Sequence, residues 1–208
     1  MCRACTPTLT GQIVDAPPES SQFGRWCDST RSRAGSVRVT RILGIDPGSR
    51  YTGFGVIDVT GRSERYVECG RINSIEGSMA ERLNTIFTRL SEVVREYQPD
   101  EAALEETFVN RVNAASALVL GQARGAAFCA LGVSGLSVAE YSASQVKQAV
   151  TGSGRADKGQ IQQMVRLLLK LDAAPVSDAA DALAVALTHA RVRATRLATG
   201  QAFAGSWK

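Results

Sequence analysis

The sequence predicts an α/β fold: a mixed five-stranded sheet, three antiparallel strands and then two parallel ones, flanked by helices. Three observations carry that reading. Three apolar, β-branched runs follow one another between residues 39 and 72 across short turn signals, the pattern of a meander. After residue 78 the apolar period changes to that of amphipathic helices, and two short apolar strands alternate with them, as in βαβ units. The 208 residues are 44% hydrophobic with a mean hydropathy of −0.06, enough for one buried core and too much for wholesale disorder.

Order begins at Val39. RILGID (41–46) is a short strand stopped by Pro47-Gly48-Ser49. YTGFGVIDVT (51–60) is the second, and its glycines at 53 and 55 predict either a bulge or the close approach of a neighbour. Thr60-Gly61-Arg62-Ser63 turns the chain into a third strand over 65–72. Leu83, Ile86, Phe87, Leu90, Val93, Val94 and Tyr97 share one face of a helix over 78–97, which Pro99 ends. A strand over 101–106 and a long helix over 113–131 follow. In that helix Gly121 and Gly125 leave a smooth patch for another helix. A fifth strand spans 136–141, a helix 144–150 is broken by Gly152-Ser153-Gly154, and helices over 158–171 and 178–191 complete the domain.

The ends differ from this body. Residues 1–38 carry Cys2, Cys5, Cys27, three of the six prolines and no structural periodicity. They are expected to be disordered, or not translated at all if synthesis starts at a GTG codon for Val37 or Val39. The Cys2/Cys5 pair lacks a second ligand pair, so no zinc site is expected. Residues 192–208 are expected to form a flexible basic tail, since no acid follows Asp181. Five cysteines and the lack of an apolar leader-like run predict reduced thiols in the cytoplasm. No membrane span is expected, because the most apolar region, Leu118 to Val138, is interrupted by Gln122 and Arg124. A net charge of +4 neither demands nor forbids a nucleic-acid partner.

Four acids are candidates for chemistry. Asp46 and Glu105 end apolar strands, where open α/β sheets place their ligands. Asp178 and Asp181 are three apart in the first turn of a helix and project from one face. Each has a structural alternative: Asp46 as a turn residue, Asp178 as a helix cap with Asp181 favouring the dipole. Convergence would make those alternatives costly, since two carboxylates about 5 Å apart repel by ~3 kcal/mol at an effective dielectric of 20. Oxygen ligands without His or Cys suit Mg²⁺ or Mn²⁺, and a pair of such ions serves phosphodiester hydrolysis.

The segments RILGIDPGSRYTGFGVID (41–58), ALEETF (103–108), ALVLGQARGAA (117–127), QVKQAVTGSGRADKGQIQQMV (145–165) and DAADALAVALTHA (178–190) closely resemble the RuvC-type Holliday-junction resolvases. The resemblance runs from about residue 39 to 191 with the motifs in the family's order. It implies an RNase H-like nuclease domain, a homodimer, a four-way DNA junction as substrate, paired symmetric nicks in recombination and repair, and Mg²⁺, two ions per subunit, with Mn²⁺ able to substitute. It implies Asp46, Glu105, Asp178 and Asp181 as catalytic metal ligands, with Asp46 bridging both ions. It also implies a branch-migration motor (RuvA and RuvB type) as partner.

Lys147 and Lys158 match family lysines that contact the DNA backbone. Phe108, three residues past the catalytic glutamate, is placed to stack on an unpaired base, and Arg111 and Arg124 are further phosphate-contact candidates. The helix bearing Ala114, Ala115, Ala117, Leu118, Gly121 and Gly125 is the expected dimer face. The main rival is an actin-like ATPase, because Asp46-Pro47-Gly48 followed by Thr52-Gly53 resembles its phosphate loop, but that fold needs a second copy, which this chain lacks.

Overall fold

The computed structural model describes residues 38–106 and 114–200. The expectations for the N-terminal extension, for Phe108 and Arg111, and for residues 201–208 therefore lie outside the described residues. The described residues fall within one compact unit.

Strands β1 (Val39–Asp46), β2 (Tyr51–Thr60) and β3 (Ser63–Asn73) form the meander, followed by α1 (Met79–Tyr97), β4 (Glu101–Glu105), α2 (Ala114–Val133) and β5 (Val138–Tyr141). Helices α3 (Ala143–Thr151), α4 (Lys158–Leu168) and α5 (Ser177–Thr199) close the chain. The sheet order is β3-β2-β1-β4-β5, antiparallel through β1, β2 and β3 and parallel from β1 through β4 to β5, as the sequence predicts.

β1 is the central strand, and this explains its unbroken apolar run: alternate residues face opposite cores. Ile42 packs with Ile57, Leu183 and Leu187 under α3, α4 and α5. Leu43 and Ile45 pack with Ile86, Leu90, Leu104 and Leu131 under α1 and α2. Helix starts are set by polar side chains. Ser78 with Glu81, Ser142 with Gln145 and Asp157 with Gln160 each form a reciprocal capping box.

Two departures stand out. α5 does not stop at residue 191 but runs on to Thr199 and is closed by Gly200 at φ 69°, so residues 192–199 are helix where a flexible tail is expected. The reason is tertiary: Val192 packs on the core and Arg193 donates to Glu101 at 2.8 Å, interactions invisible in a stretch read by local composition. The second is α2, which by length and composition alone reaches the size of a membrane crossing over Ala115–Val133, against the expectation. Within it Ala123, Ala127, Ala130 and Leu131 pack into the core beneath α1 and the sheet, so it is a layer of this domain.

Under the first turns of α5 the sheet presents glycine at the points of contact. A Cβ on Gly44 would lie 2.2 Å from the Ala182 carbonyl oxygen, and one on Gly53 only 2.0 Å from that of Asp178. These glycines are there for close approach. They let the helix backbone rest directly on β1 and β2.

Candidate active site

That close approach assembles the site. Asp46 is the last residue of β1 and pairs with Gly53, so the backbone of Asp178 lies over the strand neighbour of Asp46. Glu105 ends the parallel strand β4, one residue beyond the Ile45–Leu104 pair, and alternation turns it to the same face as Asp46. Asp181 stands beside Ala182, whose carbonyl covers Gly44. Three elements far apart in sequence thus bring all four predicted acids to one end of the sheet. The alternative for Asp178 is not taken, because α5 begins at Ser177 with Val176 in the cap position.

The electrostatics show one shared field. Asp46 is pushed up to about 7, first by burial and then by the charges of Glu105, Asp181 and Asp178, with Lys158 opposing. Burial and the charge of Asp181 raise Glu105, while Lys158 and Lys147 pull it down. Burial raises Asp181 as well, against Lys158. The Lys158 ammonium lies 3.6 Å from the Asp181 carboxylate. Carboxylates held above their ordinary range by one another gain stability from a cation. The donor set is all oxygen, which suits a hard divalent ion. Among the described residues no three His, Cys, Asp or Glu side chains are drawn tightly enough to hold an ion as they stand.

Lys147 on α3 and Lys158 at the start of α4 both act on this cluster. Arg124 does not join it. Its guanidinium is bonded to Glu140 and lies 4.7 Å from the centre of the Phe128 ring, on the α2 side. Sequence reasoning passed over two further features. Arg82 on α1 donates to the carbonyls of Ser74, at 2.6 Å, and of Ser49, pinning the loop that follows Asp46. Arg71 on β3 lies 4.4 Å over the Tyr51 ring at the same end of the sheet. The strand alternation around Gly53 was the available signal for that pair.

His189 is fully buried between the Tyr141 hydroxyl and the Glu101 carboxylate, each at 2.8 Å. It is a structural bridge from α5 to β5 and β4.

Known proteins resemble this chain over the same region. The family model for the crossover junction endodeoxyribonuclease RuvC matches residues 42–189. The RuvC of Burkholderia vietnamiensis is 59% identical over 150 residues, covering 72% of this chain and 83% of that protein. The RuvC of Burkholderia ambifaria is 58% identical over 160 residues, covering 77% and 87%. Among solved structures, Thermus thermophilus RuvC in complex with a Holliday junction substrate matches with TM-score 0.70 and 38% identity over 75% of this chain and 96% of that one. A yeast mitochondrial Holliday junction resolvase matches with TM-score 0.58 and 12% identity over 80% and 83%, a likeness of fold.

Proposed function

The chain belongs to the RuvC family of crossover junction endodeoxyribonucleases, and from that premise we propose that Asp46, Glu105, Asp178 and Asp181 are its cutting centre. It is a hydrolase that resolves Holliday junctions and depends on a divalent metal. The observation that carries the assignment is the convergence of four acids on one end of the sheet, with Asp46 raised by burial and by the charges of the other three. Such a set is unfavourable unless it has a use for positive charge.

Asp46, central among the four, is the proposed shared ligand of two Mg²⁺ ions, with Glu105 serving one and Asp178 and Asp181 the other; Mn²⁺ would substitute. Ions held there would supply a water of lowered pKa and neutralise charge on the leaving oxygen. The protein's own part is positioning. Burial and three fixed backbones hold the carboxylates still. Lys147 and Lys158 draw the phosphodiester backbone toward an otherwise repulsive, acidic surface. Phe108 is assigned to an unpaired base at the junction centre. In-line displacement leaves 5′-phosphate and 3′-hydroxyl ends.

A second nick needs a second site, and a homodimer supplies it by two-fold symmetry. Helix α2 supports this reading. Leu118 is 66% and Val133 80% exposed on it, and Gly121, Gly125 and Gly132 face open space. An apolar helix with such a face is fit for a second copy. Work on chromosomal junctions alongside a branch-migration motor makes the cytoplasm its proposed compartment.

The test is a synthetic four-way junction against a linear duplex of the same sequence. Paired symmetric nicks in Mg²⁺, none in EDTA, and junction binding without cutting by Asp46→Asn are expected. Substantial cleavage by that variant would refute the assignment.

A further inference from the structure

Strand register sets Asp46, Gly53 and Arg71 in one row, since Asp46 pairs with Gly53 and Gly53 with Arg71. Residues directly opposed across strands project to the same face. Tyr51, two residues before Gly53, projects there as well. Because Gly53 has no side chain, the space above it is taken by the first turn of α5, with the Asp178 carbonyl over the glycine. Two strand spacings put the Arg71 backbone about 10 Å from that of Asp46. That is roughly three nucleotide rises along a B-form strand.

The two side chains form a unit. The Arg71 guanidinium carbon is 4.4 Å from the centroid of the Tyr51 ring, with Arg71 exposed and Tyr51 half-buried. The ion pairs formed among the described residues include neither Arg71 nor the adjacent, exposed Arg50, although Asp58 and Glu64 elsewhere on β2 and β3 do pair with arginines. An arginine oriented by a ring and not neutralised by a carboxylate keeps its donors for an oxyanion and gives up less freedom on binding one. Its position is complementary to that of the lysines. Lys147 and Lys158 act on Glu105 and Asp181, on the β4 side of the cluster. Arg71 lies across Asp46 from them, on the β3 side.

We propose that Arg71, oriented by Tyr51, grips a backbone phosphate of the cleaved strand on the flank of the site opposite Lys147 and Lys158. The inference rests on the reading of the four acids as the cutting centre. DNA crossing those acids is then held by cations on both sides, and the acidic gap between them fixes which phosphate is cut.

The experiment measures binding of the full-length protein to a synthetic four-way junction in EDTA over a range of salt, with single-turnover cleavage in Mg²⁺ at saturating protein alongside. Arg71→Ala should weaken binding about three- to tenfold and lower the salt slope by about 0.9 for each phosphate it no longer neutralises. Cleavage at saturating protein should fall by less than binding does, since the arginine grips a phosphate outside the reacting atoms. Arg71→Lys should restore the salt slope but only part of the affinity. Tyr51→Ala should weaken binding in the same direction, and should add nothing in the Arg71→Ala background. An unchanged affinity and salt slope in Arg71→Ala would overturn the proposal, and additive effects would overturn the orienting role of Tyr51. The binding arm runs without metal, so it stands apart from the Asp46→Asn cleavage test: retained cutting there would remove the premise, while the Arg71 result would remain readable as a phosphate grip or its absence.

Discussion

Replacing Asp46 with asparagine should make the metal-free protein more stable while ending its activity. The reasoning starts from the crowding of charge. In the fold, burial and three neighbouring carboxylates push Asp46 from 3.8 up to about 7. At about pH 8 its ionised form is therefore a burden that the unfolded chain does not carry. Each unit is worth about 1.4 kcal/mol, which sets a ceiling of about 4 kcal/mol. The amide keeps part of the desolvation cost, and burial is the largest cause of the shift, so the expected gain is smaller, about 1–3 kcal/mol. In a domain of this size that raises Tm by roughly 2–10 °C. The sign with pH follows from linkage. A carboxyl whose folded pKa is raised destabilises the fold above that value, and the penalty fades as pH falls toward the unfolded pKa. Wild-type stability should therefore rise from about pH 8 toward pH 5, and the variant should show a shallower rise, because Glu105 and Asp181 are still raised by burial. Calorimetric melts in EDTA across that range measure both quantities. Adding Mg²⁺ should then stabilise the parent more than the variant. An Asp46→Asn protein that is no more stable than the parent at about pH 8 in EDTA, with an unchanged pH slope, would refute the account of the cluster as a strained anion site.

Other outcomes follow from the same structure. Glu101 is held down at about 2, chiefly by its hydrogen bond from His189 and then by Arg193; its contribution, about 3 kcal/mol at most, is present above pH 4.5 and lost as pH falls toward 2. Glu101→Gln should therefore lower Tm at neutral pH and flatten the acid limb of the stability curve, as thermal melts would show. Gly53→Ala places a methyl group 2.0 Å from the Asp178 carbonyl oxygen, so the first turn of α5 must lift; cleavage should fall by an order of magnitude or more while junction binding in EDTA persists. Leu118→Asp on the exposed face of α2 should weaken the proposed self-association in sedimentation and leave the fold intact by circular dichroism.

Much of the molecule was legible from local signals because its strands are short and its turns carry Gly and Pro. β1 could be read as a buried central strand since both faces of RILGID are apolar, and Ser78 with Glu81 marked the start of α1 by capping chemistry alone. The meeting of the four acids at one end of the sheet could be anticipated for a different reason: a carboxylate at the end of an apolar strand is conspicuous, and the resemblance named the four together. What escaped is what depends on packing across the chain. The last two turns of α5 owe their order to Glu101 and the core, not to their own composition. Arg124, inside a matching motif, is committed to Glu140, which no spacing rule announces. The Tyr51–Arg71 pair joins residues twenty apart through strand register, and register is set by the whole meander.

The glycines at 44 and 53 tie these threads into one physical argument. A helix carrying two aspartates would ordinarily stand about 10 Å off a sheet, separated by a layer of side chains. Here that layer is interrupted at Gly44 and Gly53, where the carbonyls of Ala182 and Asp178 come within about 2 Å of where Cβ atoms would be. Burial raises Asp46 first and the charge of Glu105 next, and the nearness of the helix adds the charges of Asp181 and Asp178 through protein and not through water. Further along α5, His189 and Arg193 converge on Glu101 and hold the helix to β4. The helix is thus anchored by hydrogen bonds in its C-terminal half and pressed onto glycine in the turns that bear the two aspartates. Its rigidity is the reason four repelling groups stay aimed at one place until cations neutralise them.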